Sequence, residues 1–92
     1  SKGRIDKVTD EQILNCYHLL AEKEGVFVEP SSAAGVAGLL MLKEKNELPK
    51  DKVIVITVTG NGLKDSHWAL EGAKDPIKVS VDAKSAAKAL GF

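Results

Sequence analysis

A single cysteine, Cys16, leaves no partner for a disulfide within the chain and suits a reducing, cytoplasmic setting. Neither sign of charge dominates, because thirteen Lys and Arg balance thirteen Asp and Glu. The balance removes any electrostatic argument for nucleic acid or an anionic membrane as partner. No apolar run approaches the ~20 residues that cross a bilayer, and no signal-peptide pattern opens the chain. Aromatics are scarce, at two Phe, one Tyr and one Trp in 92 residues, so one small core is the most that can be built. The sequence also lacks G-x-x-x-x-G-K-[ST], C-x-x-C and G-x-S-x-G. Those absences exclude the common phosphate-loop, dithiol and serine-hydrolase patterns. The opening "SKGRID" starts with Ser and reads as a cut end.

What is present alternates helix and strand. Thr9 with Gln12 three residues on has the form of a capping box, and Val8 and Ile13 hold the flanking staple positions. Ile13, Cys16, Tyr17, Leu20 and Ala21 then recur at helical spacing up to Gly25, the expected stop. "VFVEP" reads as a short strand ended by Pro30, and Ser31 or Ser32 can cap the helix that follows through Lys45. From Ala33 to Leu42 that helix has no polar residue, so it needs cover on every side. Gly35 and Gly38 inside it each cost about 1 kcal/mol relative to Ala, which makes sense if a neighbour packs close. After Gly62, Asp65 or Ser66 can cap a short helix closed by Gly72. "IKVSV" alternates as an edge strand does, and Asp82 can cap a last helix ending at Gly91. The order predicts an α/β fold, part of a doubly wound, mainly parallel sheet in an incomplete three-layer domain.

The run "VIVITVTGNGLKD", residues 53–65, begins as a strand buried on both faces and ends in Thr59-Gly60-Asn61-Gly62. A second polar strand end is Glu29-Pro30-Ser31-Ser32. In open α/β sheets ligands bind outside the carboxyl ends of strands, so parallel neighbours would bring these two turns to one crevice. The plainer reading is the usual one for such patterns: Gly-Asn-Gly as an ordinary turn and the serines as caps. Cys16 and His18, two apart on a helix, face different ways and make a poor metal pair. His67 reads as a surface residue and Lys64-Asp65 as a solvated lysine beside a cap. On residue chemistry alone no complete catalytic set and no metal site is present.

"VTDEQILNCYHLLAEKEGVFVEPSSAAGVAGLLML" followed by "VIVITVTGNGLKD" resembles the carboxyl-terminal part of the threonine synthases. These are pyridoxal-phosphate enzymes of fold type II, like the threonine dehydratases and tryptophan synthase β. The resemblance runs from about Gly3 to about Leu70, and residues 1–92 then form one segment of the catalytic domain. Dehydratases tend to end the corresponding strand in Ser-Gly-Gly-Asn, whereas "TGNGLKD" is similar to the threonine synthase branch.

The resemblance implies that Thr59 hydrogen-bonds the pyridine nitrogen of pyridoxal 5'-phosphate, that Gly60 leaves room for the ring, and that the Glu29–Ser32 turn lines the same crevice. A neutral hydroxyl there does not hold the ring protonated and makes it a milder electron sink. The implied reaction turns O-phospho-L-homoserine and water into L-threonine and phosphate. The lysine that carries the cofactor, the loop for its phosphate and the grip on the substrate phosphate lie in segments not found in this sequence. A segment inactive alone, and a homodimer or self-associating fragment, are therefore expected. Two alternatives are a segment of another fold type II enzyme, such as a threonine dehydratase, and a free-standing α/β module that binds a ligand or partner.

Overall fold

Thr9 opens the first helix through a reciprocal cap. Its Oγ1 accepts the Gln12 N–H at 3.2 Å, while Gln12 Oε1 accepts the Thr9 N–H at 2.9 Å. Val8 and Ile13, the staple pair, both pack against the buried core. In the computed structural model, which describes residues 2–92, this helix is α1, Asp10–Leu19. It continues into a π turn, Leu20–Glu24, and ends where Gly25 turns left-handed at φ 66°. Val26 N–H then donates to Leu20 O at 3.0 Å, so the wider turn still satisfies its carbonyl end.

A 3₁₀ turn, Pro30–Ala33, leads into α2, Ala34–Glu44. Here one expectation is corrected, since neither Ser31 nor Ser32 caps the helix. Glu29 holds the cap position of the 3₁₀ turn and Ala33 that of α2, and neither makes a side-chain cap bond. Pro30, first in the turn, has no N–H to satisfy, so one fewer donor calls for a cap. Helices α1 and α2 pack together, and Cys16, Tyr17, Val28, Ala33 and Ala37 form the buried centre. Burial also raises the pKa of the Cys16 thiol, so Cys16 acts as a small apolar side chain.

The apolar helix is only partly covered. On its outer side, a Cβ at Gly35 would stand 3.0 Å from Ile56 Cγ2, so the 53–59 run does approach it. At Gly38 the same test meets open space. Between them lies an open groove of about 360 Å³, lined by Val8, Gly38, Leu39, Leu42, Ile54 and Ile56.

Among the described residues, strand pairing is confined to one antiparallel bridge between Val28 and Asn61. The runs 53–59 and 77–81 carry no ladder. A strand apolar on both faces takes its hydrogen bonds from neighbours on each side. Without such neighbours Val53 is 94% exposed and Val55 85%. The radius of gyration is accordingly 18.2 Å, against about 12 Å for a compact chain of this length.

Two more caps were assigned by sequence. Asp65 makes no cap bond; instead Asn61 Oδ1 accepts the Leu63 N–H at 2.9 Å and opens a 3₁₀ turn, Gly62–Asp65, that runs into α3, Ser66–Glu71. Asp82 caps α4, Ala83–Ala89, as expected, accepting the Ser85 N–H at 2.8 Å and the Ser80 hydroxyl at 2.7 Å. These bonds, those from Ser85 first, lower the Asp82 pKa from 3.8 to about 2. A carboxyl depressed by folding stabilises the fold above its unfolded pKa and ceases to do so as pH falls through the folded value. The Ser85 amide resonance is therefore expected to titrate with a midpoint near 2. A midpoint near 3.8 would mean that the cap does not form.

Candidate functional site

The two polar turns that the sequence singles out are held against each other. Glu29 N–H donates to Gly60 O at 3.0 Å and Gly62 N–H donates to Phe27 O at 3.2 Å, and together these bonds form the Val28–Asn61 bridge. The chain approaches closely at both crossing points. A Cβ at Gly60 would fall on the Glu29 carboxylate, and one at Gly62 would fall on the Phe27 ring. The ring itself rests near Tyr17, with centroids 6.2 Å apart, so this segment is tied to α1.

Ser32 is the polar centre of this contact. It is only 6% exposed, and its Oγ accepts the Gly60 N–H at 2.7 Å across 28 residues of sequence. Thr59 Oγ1 lies 3.2 Å from the same oxygen, and Ser32 reaches Glu29 Oε1 at 3.5 Å. Removing a buried partner of this kind leaves a donor unsatisfied and costs roughly 1–3 kcal/mol. The hydroxyl that sequence assigned to helix capping is thus the bolt between the two turns. The signal for it was Pro30, which reduces the demand for a cap and leaves a nearby serine free.

Thr59 stands at the solvent side of the cluster, exposed, with Ser32 behind it. The arrangement offers the Thr59 hydroxyl, backed by Ser32 and the Glu29 carboxylate, while Gly60 is buried with its N–H and carbonyl both bonded; among the described residues no Lys or Arg is bonded into it. It can orient a neutral polar atom through the Thr59 hydroxyl. The other polar residues stay apart. Cys16 is buried while His18 is exposed with its ring edge-on to Tyr17, and His67 pairs at 3.1 Å with Glu71 one turn along exposed α3. Arg4 bonds Asp6 and Glu47, which raises its pKa and ties the amino-terminal stretch to the end of α2.

A family profile described as "Pyridoxal-phosphate dependent enzyme" matches residues 1–60 of the chain. Curated relatives align further. A threonine synthase of Mycobacterium leprae is 48% identical over 92 residues, all of this chain and 26% of that protein. One of Synechocystis sp. is 46% identical over 94 residues, again all of this chain and 24% of its own length. One of Halalkalibacterium halodurans is 53% identical over 70 residues, 76% of this chain and 20% of that protein. Similarity therefore continues past Leu70, where the sequence reading let it fade, and takes in the exposed 77–81 run and α4. The chain spans about a quarter of the length of the first two relatives. With more than half of its residues inside the family profile, this chain belongs to the pyridoxal-phosphate dependent enzymes.

Proposed function

We propose that this chain is the carboxyl-terminal segment of the catalytic domain of a threonine synthase. The whole enzyme would convert O-phospho-L-homoserine and water into L-threonine and phosphate in the cytoplasm. The observation that carries the reading is alignment of all 92 residues, at nearly half identity, with proteins of that name. In that enzyme the 53–59 run takes its place in a mainly parallel sheet, which supplies the ladder and cover that Val53 and Val55 lack.

One site residue fits one end of pyridoxal phosphate. Thr59 can donate a hydrogen bond to the ring nitrogen, whereas the room expected for the ring at Gly60 is held by the Glu29 side chain, which must swing aside for a ring to reach that backbone. The neutral hydroxyls suit a neutral nitrogen and not a phosphate dianion, so the phosphate end belongs to another segment of the enzyme. When bound, the cofactor supplies the electron sink for proton removal and loss of the substrate phosphate. This chain's part is to orient the ring through Thr59 and to wall the crevice with the Glu29–Ser32 turn.

The test is product analysis on the full-length protein with pyridoxal phosphate. Threonine and phosphate are expected in equal amounts from O-phosphohomoserine. Formation of 2-oxobutanoate from threonine, with no phosphate released, would move the segment to a threonine dehydratase. The isolated 92-residue chain is expected to be inactive and self-associated, most simply as a homodimer, because apolar runs such as Val53–Val55 are exposed. Borohydride reduction with pyridoxal phosphate should then label its lysines sparsely. Stoichiometric capture at one lysine, Lys64 being nearest the site in sequence, would make the chain a self-sufficient cofactor binder instead.

A further inference from the structure

The Ser32 hydroxyl faces more partners than its proton can serve. A hydroxyl carries one proton and two lone pairs. The Gly60 N–H occupies one lone pair at 2.7 Å, leaving one proton and one lone pair for Thr59 and Glu29. Ser32 can donate to Glu29 and accept from Thr59, which turns the Thr59 proton inward. Alternatively it donates to Thr59 Oγ1, and the Thr59 proton is left to point outward. The Glu29 contact, at 3.5 Å, is far longer than the ~2.5–2.7 Å of a hydroxyl well bonded to a carboxylate. It holds the proton weakly, and the 3.2 Å contact to Thr59 is the better acceptor.

We infer that Ser32 is a positioning residue: anchored by the Gly60 N–H, it donates to Thr59 Oγ1 and thereby presents the Thr59 proton to an acceptor outside. The inference rests on the reading of Thr59 proposed above and adds its cause: Thr59 acts as donor toward the neutral nitrogen because Ser32 fills its acceptor side. Ser32, at 6% exposure, is shielded from water that would compete for the same bonds, whereas Thr59 is open to the ligand side. No proton is transferred; a hydroxyl rotor is fixed.

The experiment is nitrogen NMR of ring-labelled pyridoxal phosphate bound to the full-length protein, with Gly60 amide exchange followed alongside. Thr59→Val and Ser32→Ala should both displace the ring resonance toward that of a nitrogen without a hydrogen bond. The double variant should move it no further than Thr59→Val alone, because Ser32 acts through Thr59. Ser32→Ala should also weaken cofactor binding by about threefold to tenfold. Ser32→Thr, which keeps the hydroxyl, should restore the wild-type resonance. If Ser32→Ala does not fold, Ser32→Cys decides: its weak donor should displace the resonance in the same direction by less. An unmoved ring resonance in the Ser32 variants, with Gly60 exchange accelerated, would reduce Ser32 to a structural bolt and overturn the inference alone. A resonance unmoved in Thr59→Val would overturn the reading of Thr59 and this inference with it.

Discussion

Replacing Gly62 by Ala in the full-length protein is expected to lower stability by about 1–3 kcal/mol, the usual range for an overpacked site. The backbone at Gly62 lies outside the positive-φ region, so alanine is not strained by conformation. The penalty is steric. The added Cβ meets several atoms of the Phe27 ring, and the ring is flat, stiff and backed by Tyr17. The whole ring must therefore swing aside, and its carrier Phe27 also accepts the Gly62 N–H bond through its carbonyl. Gly60→Ala should be milder in stability, because the obstructing atoms belong to the flexible Glu29 side chain. Gly35→Ala gives the control, since about 1 kcal/mol of helix propensity offsets a 3.0 Å approach to Ile56. Denaturant midpoints ranked with Gly62→Ala lowest would support this account. A Gly62→Ala midpoint equal to wild type would mean that the two turns do not meet as described.

The sequence was legible wherever a signal is local. The Thr9–Gln12 box, the Gly25 stop and the Asp82 cap each depend on atoms within a few residues, and each forms as read. The two polar turns were also legible, because Gly-Asn-Gly and Glu-Pro-Ser-Ser stand out at the ends of apolar runs. Their partners were not. Ser32 looks like a cap in sequence, and only the approach of Gly60 from 28 residues away shows where its hydroxyl goes. Phe27 looks like an ordinary strand residue, yet it is the reason position 62 has no side chain. The π turn at Leu20–Glu24 has no sequence marker that distinguishes it from one more turn of α1.

The apolar runs raise a different issue. Val53–Thr59 reads as a doubly buried strand, and most of it is exposed. The pattern records the burial a segment is suited to, and the folded chain supplies only one flank of it, the face of α2 near Gly35. Pattern and exposure can both be right if the covering elements belong to the rest of the enzyme, as proposed. The same holds for Ile77 and Val79, which line an open cavity of about 330 Å³ together with Ala86, Ala89 and Leu90 of the closing segment.

The second large effect is expected at Thr59. Thr59→Val keeps the shape of the side chain and removes its only donor, so kcat/KM in the full-length enzyme should fall by roughly tenfold, the upper worth of one neutral hydrogen bond. Thr59→Asp should fall further at neutral pH, on the order of 100-fold, the loss seen when a placed donor is taken away. A carboxylate cannot donate to an unprotonated nitrogen, and here it would stand beside Glu29, joined to it through Ser32. Two carboxylates sharing a site raise the pKa of one of them. The protonated acid can donate, so the Thr59→Asp deficit relative to wild type should shrink as pH falls and grow as it rises. Thr59→Val has no proton to recover, and its deficit should stay flat with pH. The pair of profiles thus separates donor loss from general damage to the crevice. Parallel profiles for the two variants would show that the hydroxyl at position 59 does not act as a hydrogen-bond donor.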